Sequence, residues 1–198
     1  MSSPITVDNI GIVVLAAGSS KRFNGDKRHA LLGNGKTILE NTLSSIPDSF
    51  TKRILVVRPG EIKDFSKLAA NWLLCEAEAA SSGMAHSLKA ALGPAQTWQG
   101  ALIALADMPY IKPSTYKAIQ NALGSHDIVI PRYEQQQGNP VAFRQHYFQE
   151  IQALQGDKGA KSLLQKYKQQ CFLLDCNDSG IIKDIDKPDA LKDLHKNS

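Results

Sequence analysis

Apolar runs of strand length alternate with helical patterns along this chain, and that alternation narrows its architecture to one class. Strand patterns fall at Ile10–Leu15, Arg53–Val57, Trp72–Glu76, Ala101–Leu105, Asp127–Ile130, Pro140–Phe143, Cys171–Leu174 and Ile181–Ile185. Helical patterns lie between them at Thr37–Ser45, Glu61–Ala70, Met84–Leu92, Ser114–Leu123, Tyr147–Leu154 and Ala160–Tyr167. The order predicts an α/β fold of three layers, a mostly parallel sheet with helices on both faces. Ligands of such sheets bind beyond the carboxyl ends of the strands, where strand order reverses. The glutamine-rich stretch Arg132–Gly138 reads as a flexible loop, and Lys187–Ser198 as a short helix after Pro188 that then frays. A chain of 198 residues without internal repeats is expected to form one domain, residues 1–198.

The first strand runs straight into Ala16-Ala17-Gly18-Ser19-Ser20-Lys21-Arg22-Phe23-Asn24-Gly25-Asp26-Lys27. Small residues let backbone N–H groups crowd around an anion, and Arg22 and Lys27 can neutralise it. The natural guest is a nucleoside triphosphate. The spacing is neither that of the Gly-x-x-x-x-Gly-Lys-Ser/Thr phosphate loop nor that of the dinucleotide fingerprint, which disfavours an NAD-dependent oxidoreductase. A formal net charge of +4 suits an anionic substrate but is too small to imply nucleic-acid binding. No apolar signal core and no run of membrane-spanning length is present, so a cytoplasmic protein away from membranes is expected. Cys75, Cys171 and Cys176 have neither the number for a disulfide framework nor the companions for a zinc site, and are expected to be buried and inert.

Two acidic segments follow strand patterns. Asp107, in Ala106-Asp107-Met108-Pro109, ends an apolar strand, where a carboxylate can ligate Mg²⁺. In Asp184-Ile185-Asp186 the alternation places both acids on one face of a strand with Ile185 toward the core; an edge strand with solvated acids remains an open alternative. Asp184 and Asp189 read as cap or surface residues. Ser82 is the expected N-cap of the helix that contains His86 and Ser87, and His86 reads as a packing or surface histidine. Gly138-Asn139-Pro140 reads equally as a structural turn and as a ligand contact, and Gly156-Asp157-Lys158-Gly159-Ala160-Lys161 equally as a helix-capping loop and as a frame for an anion.

Taken together, these segments resemble the MobA-like nucleotidyltransferases, with the molybdenum cofactor cytidylyltransferases as the nearest branch. The first loop is similar to that family's Leu-Ala-Ala-Gly-x-Ser-x-Arg-x-Gly-x-x-Lys signature, to which it supplies Leu15, Ala16, Ala17, Gly18, Ser20, Arg22, Gly25 and Lys27. Ala106-Asp107-Met108-Pro109 resembles Gly-Asp-Met-Pro, Asp184-Ile185-Asp186-Lys187-Pro188 resembles Asp-Ile-Asp-Thr-Pro, and Gly83-Met84 with Ser87-Leu88 resembles Gly-Met-x-x-Ser-Leu. Asn139 replaces the histidine of Gly-His-Pro-Val-x-Phe, and Lys161 replaces the arginine of Gly-Asp-x-Gly-Ala-Arg.

The resemblance implies a nucleotide-diphospho-sugar transferase-like fold and a Mg²⁺-dependent transfer of CMP from CTP to the phosphate of molybdenum cofactor, with release of pyrophosphate. It further implies nucleotide contacts from Leu15 to Gly18, Ser20, Arg22, Lys27, Ser82, Gly83 and Ser87. Arg22, Lys27 and Asp107 become the catalytic residues, Asp107 and Asp186 the metal ligands, Asn139 and Lys161 the acceptor contacts, and a molybdoenzyme a further partner. Ala-Ala-Gly rather than Ala-Gly-Gly favours CTP over GTP. Transfer to a sugar or alcohol phosphate, and a non-catalytic carrier of cofactor or nucleotide, are the alternatives.

Overall fold

The computed structural model describes residues 5–18, 23, 25–78, 80, 83–154 and 161–186. Among these residues eight strands form one sheet: β1 (Ile10–Leu15), β2 (Arg53–Val57), β3 (Leu73–Glu76), β4 (Gly100–Leu105), β5 (Ile128–Tyr133), β6 (Gln136–Gln137), β7 (Val141–Arg144) and β8 (Cys171–Asp175). Their order is β3-β2-β1-β4-β7-β5-β6, with β8 also paired to β5. β1 pairs in parallel with both β2 and β4, β2 with β3, and β5 with β8; β7 runs antiparallel between β4 and β5. The sheet is therefore mostly parallel, as the sequence predicts.

Alternation along the central strands separates two cores. Ile10, Ile12 and Val14 of β1 face one core together with Leu39, Tyr116, Ile119 and Leu123. Val13 and Leu15 face the other, with Leu88, Leu92, Phe148, Ile151 and Leu163. The first group of helices is α1 (Ile38–Ser45), α2 (Ile62–Phe65) and α4 (Pro113–Leu123); the second is α3 (Met84–Leu92), α5 (Phe148–Gln152) and α6 (Lys161–Lys166). A strand with both faces covered buries every side chain, which is why β1 reads as an unbroken apolar run. Among the described residues no helix is long and apolar enough to cross a membrane.

Several expectations need correction. Ile181–Ile185 is not a strand: a 3-10 turn covers Ser179–Ile182, and the chain continues without sheet pairing to Asp186. The buried Asp178 carboxylate builds this turn by accepting from the Gly180 N–H, and it joins the turn to the start of α4 through the Lys112 N–H (2.9 Å) and Thr115 Oγ1 (2.6 Å). Arg132–Gly138 is not a loop but a hairpin of β5 and β6, turning through Glu134 and Gln135 at φ 45° and 69°. The helix expected over Glu61–Ala70 is regular only at Ile62–Phe65 and passes into turns. The N-cap of α3 is Gly83, not Ser82; its φ of 127° and ψ of 164° suit only glycine. The cysteines are half-buried rather than buried, and burial pushes each thiol pKa up.

The turn at Ser179–Ile182 lies so close to the Tyr110 backbone that a Cβ on Gly180 would overlap the Tyr110 carbonyl. Gly180→Ala must therefore push the 179–186 segment away from the β4 side. Crowding of this kind costs about 1–3 kcal/mol. Thermal unfolding and turnover measured on the same preparation should both fall; a variant with the parent melting temperature would show that the turn has slack.

Candidate active site

The chain reverses its order across the sheet at β1: β2 and β3 follow on one side, and β4 lies on the other. The crevice between the carboxyl ends of β1 and β4 is the switch point at which open α/β sheets bind ligands. The Ala106 N–H donates to the Leu15 carbonyl across this crevice (3.2 Å), and the Ala16 N–H donates to the Val56 carbonyl (2.8 Å). Leu15, Ala16 and Ala17 are buried, whereas Gly18 emerges into solvent.

Asp107 sits in the turn after β4, held by its surroundings through the backbone. Thr42 Oγ1 donates to the Ala106 carbonyl (3.0 Å) and Asn41 Nδ2 to the Pro109 carbonyl (2.7 Å), so α1 clamps the turn on both sides. The Ile185 N–H donates to the Asp107 carbonyl (3.0 Å), while the Ile185 side chain is buried with Phe23, Leu32 and Ile38. That single anchor brings the flanking acids to the turn. Oxygens of Asp107, Asp184 and Asp186 lie within 4.8 Å of one another. Asp186, which the family resemblance pairs with Asp107, does lie beside it, though not on a strand; Asp184, read as a cap or surface residue, joins the cluster.

Lys27 reaches the same place from the first loop. Its ammonium donates to Asp107 and to Asp186 Oδ1, the latter at 3.2 Å. Burial alone would lower its pKa, but the charge of Asp107 and hydrogen bonds to both acids raise it, so Lys27 is a fixed cation. Three carboxylates form a hard oxygen donor set, which fits Mg²⁺ or Mn²⁺ rather than a soft metal.

A second charged group lies beneath the loop and carries no local sequence signal. Arg28 is only 4% exposed. Its guanidinium donates to the Ala16 carbonyl (2.9 Å), to Asp26 and to Glu61 (2.7 Å), and lies 4.9 Å from the centre of the Phe65 ring. Arg58 donates to Asp26 (3.1 Å) and to the Gly18 carbonyl, while its own N–H donates to Glu61 (3.0 Å). Burial pushes the Asp26 carboxyl upward, yet Arg28 and Arg58 outweigh it and hold the pKa down to about 2. These four side chains tie both ends of the described part of the loop to the β2–α2 turn.

The other expected contacts are spread around this centre. The Asn139 N–H donates to the Ile181 carbonyl (2.9 Å), which places it beside the segment that carries Asp184 and Asp186. Ser87 is buried in α3, His86 is half-buried beside it, and Lys161 opens α6 exposed to solvent. No hydrogen bond or ion pair among the described residues joins Ser87 or Lys161 to the acids. Ser20, Arg22 and Ser82 lie outside the described residues, as do Lys187, Pro188, Asp189 and the 156–160 stretch.

Residues 12–171, most of the chain, match the MobA-like NTP transferase domain. This chain belongs to that family. The chain is 28% identical over 132 residues to a probable molybdenum cofactor guanylyltransferase of Natranaerobius thermophilus, an alignment covering 63% of this chain and 60% of that protein. The chain thus spans less than two thirds of that relative, and the relative is named for guanylyl rather than cytidylyl transfer. Rv0371c of Mycobacterium tuberculosis H37Rv superposes with a TM-score of 0.78 at 27% identity, covering 96% of this chain and 98% of that one. A manganese complex of Rv0371c covers 96% and 99% at 25% identity and a TM-score of 0.74. The 4-diphosphocytidyl-2C-methyl-D-erythritol synthase of Anaerococcus prevotii, at 15% identity and a TM-score of 0.76 over 99% of this chain and 100% of that one, shares the fold. The chain therefore has the mixed, mostly parallel α/β nucleotidyltransferase fold.

Proposed function

We propose that the transferase, as one domain spanning residues 1–198, moves CMP from CTP to the phosphate of molybdenum cofactor and releases pyrophosphate. The observation that carries this reading is the meeting of Lys27, Asp107 and Asp186 from three separate segments at the sheet's switch point. An acceptor phosphate oxygen forms a bond to the α-phosphorus while the bond from that phosphorus to the bridging oxygen breaks, and pyrophosphate departs with the electron pair. Such a displacement needs alignment and charge neutralisation more than a covalent nucleophile. A Mg²⁺ ion held by Asp107 and Asp186, with Asp184 beside them, would neutralise phosphate charge.

The chain's own groups supply the rest. The backbone from Leu15 to Gly18, with Ser20, Arg22, Ser82, Gly83 and Ser87, receives the nucleotide. Arg22 and Lys27 would stabilise the charge that spreads onto the departing pyrophosphate. Asn139 offers both donor and acceptor to the acceptor molecule, and Lys161 a point charge.

Guanylyl transfer is a second reading, supported by the name of the Natranaerobius relative. Ala17 bears on the choice. Ala17 is 2% exposed and packs in a core cluster, so its methyl would act on base choice through the position of the loop rather than by lining an open pocket. Ala17→Gly should shift the CTP/GTP preference partway toward GTP, by about 1–3 kcal/mol at most. Competition kinetics with an unchanged ratio would remove Ala17 from base selection.

The full chain incubated with Mg²⁺, each NTP and each acceptor, with pyrophosphate followed, tests the whole reading. Release with CTP and the pterin phosphate is expected. Release with GTP alone selects the second reading, and release only with sugar or alcohol phosphates replaces the acceptor. Tight CTP binding without any release identifies a carrier, whose cargo a molybdoenzyme would receive.

A further inference from the structure

Lys27 already contacts two of the three acids that a divalent ion would need, Asp107 and Asp186. Its ammonium contacts Asp107 and lies 3.2 Å from Asp186, and oxygens of these two acids and Asp184 are spaced no more than 4.8 Å apart. Like charges this close repel, and one ammonium offsets much of that repulsion. A divalent cation bound through the same oxygens would stand within a few ångströms of the ammonium, so the two cations compete for one place.

The construction around Lys27 allows it to yield. The Lys27 backbone belongs to a 3-10 turn capped by Asp26, whose carboxylate accepts from the Arg28 N–H (3.1 Å), and the Arg28 guanidinium is locked between Asp26 and Glu61. The main chain is thus held from below. The ammonium, by contrast, sits on a four-carbon stem with rotatable bonds, and Asp186 beside it is 37% exposed. A lysine so placed can swing from the acids to another anion without disturbing the turn. On the transferase reading that anion is the triphosphate of the nucleotide.

We infer that Lys27 is an internal counter-ion that excludes divalent metal until nucleotide phosphate draws its ammonium away, so that metal and nucleotide enter as a coupled pair. This inference rests on the transferase reading. It assigns Lys27 two successive partners, the acids before nucleotide arrives and the phosphates afterwards. It also makes the acids' affinity for metal a function of nucleotide, and by linkage the reverse.

Mn²⁺ binding followed by electron paramagnetic resonance tests this on the full chain, with and without the non-hydrolysable α,β-methylene analogue of CTP. The parent is compared with Lys27→Met, Lys27→Gln, Lys27→Arg and Asp107→Asn, each checked for folding by thermal melt. The parent should bind Mn²⁺ weakly alone and more tightly with the analogue. Both neutral variants should bind Mn²⁺ alone about tenfold more tightly than the parent, with the analogue's enhancement largely lost, a coupling of ordinary size. Lys27→Arg should keep the parent pattern. If Asp107→Asn abolishes Mn²⁺ binding while the neutral variants bind no better than the parent, the counter-ion role is wrong and the metal site stands. If no protein binds Mn²⁺ even with the analogue, the metal site falls and the inference falls with it.

Discussion

Asp107→Asn should reduce pyrophosphate release by at least about 10²-fold, the scale of losing one fixed electrostatic stabiliser, while thermal unfolding stays near that of the parent. The two outcomes separate because the fold holds this turn by its main chain. Thr42, Asn41 and Ile185 all bond to backbone carbonyls of residues 106, 107 and 109, and none of these bonds uses the Asp107 carboxylate. The carboxylate instead faces Lys27. An amide of the same shape keeps the packing but loses the charge that anchors cations. Turnover with each NTP and a melting curve on the same preparation are the measurements. Full activity in a folded variant would remove Asp107 from the site.

Arg28→Met should have the opposite profile, a stability loss of about 3–5 kcal/mol at neutral pH. Removing the guanidinium leaves the Ala16 carbonyl without that donor and leaves Asp26 and Glu61 facing each other with Arg58 alone. The sign of the pH dependence follows from the two carboxyls. Both are held below their ordinary pKa, Asp26 at about 2. A carboxyl held low contributes stability above its unfolded pKa and loses it as pH falls toward the folded value. The gap between parent and Arg28→Met should therefore be widest near pH 7 and narrow from about pH 5 down to pH 2. Denaturant titrations at several pH values measure it. A constant gap would mean that packing against Phe65, not charge pairing, is what Arg28 contributes.

The fold was legible where burial on both faces leaves a strong mark. β1 was read to the residue because nothing polar interrupts Ile10–Leu15, and α3 because its apolar positions recur at helical spacing. The β5–β6 hairpin was not legible. Its turn places Glu134 and Gln135 in left-handed conformations usually signalled by Asn-Gly, and those residues read as ordinary polar loop. The Ile181–Ile185 pattern misled because apolar alternation cannot reveal that Asp178 bonds to the start of α4 and closes a turn. For the site, the convergence of Lys27, Asp107 and Asp186 was visible through motif likeness. Asp184 could have been kept on its spacing from Asp186 alone. The Arg28–Asp26–Glu61–Arg58 group left no such trace, since a buried arginine in a polar stretch looks like a surface one until its partners in the β2–α2 turn are known.

Ile185 joins the last acids to the strand-end turn. Among the described residues every strand ends by Asp175, so Asp184 and Asp186 lie on a segment outside the sheet. Between them stands one isoleucine, whose side chain fills a small apolar pocket and whose N–H reaches the Asp107 carbonyl. A change that unseats Ile185 would therefore withdraw two of the three carboxylates at once without touching an acid.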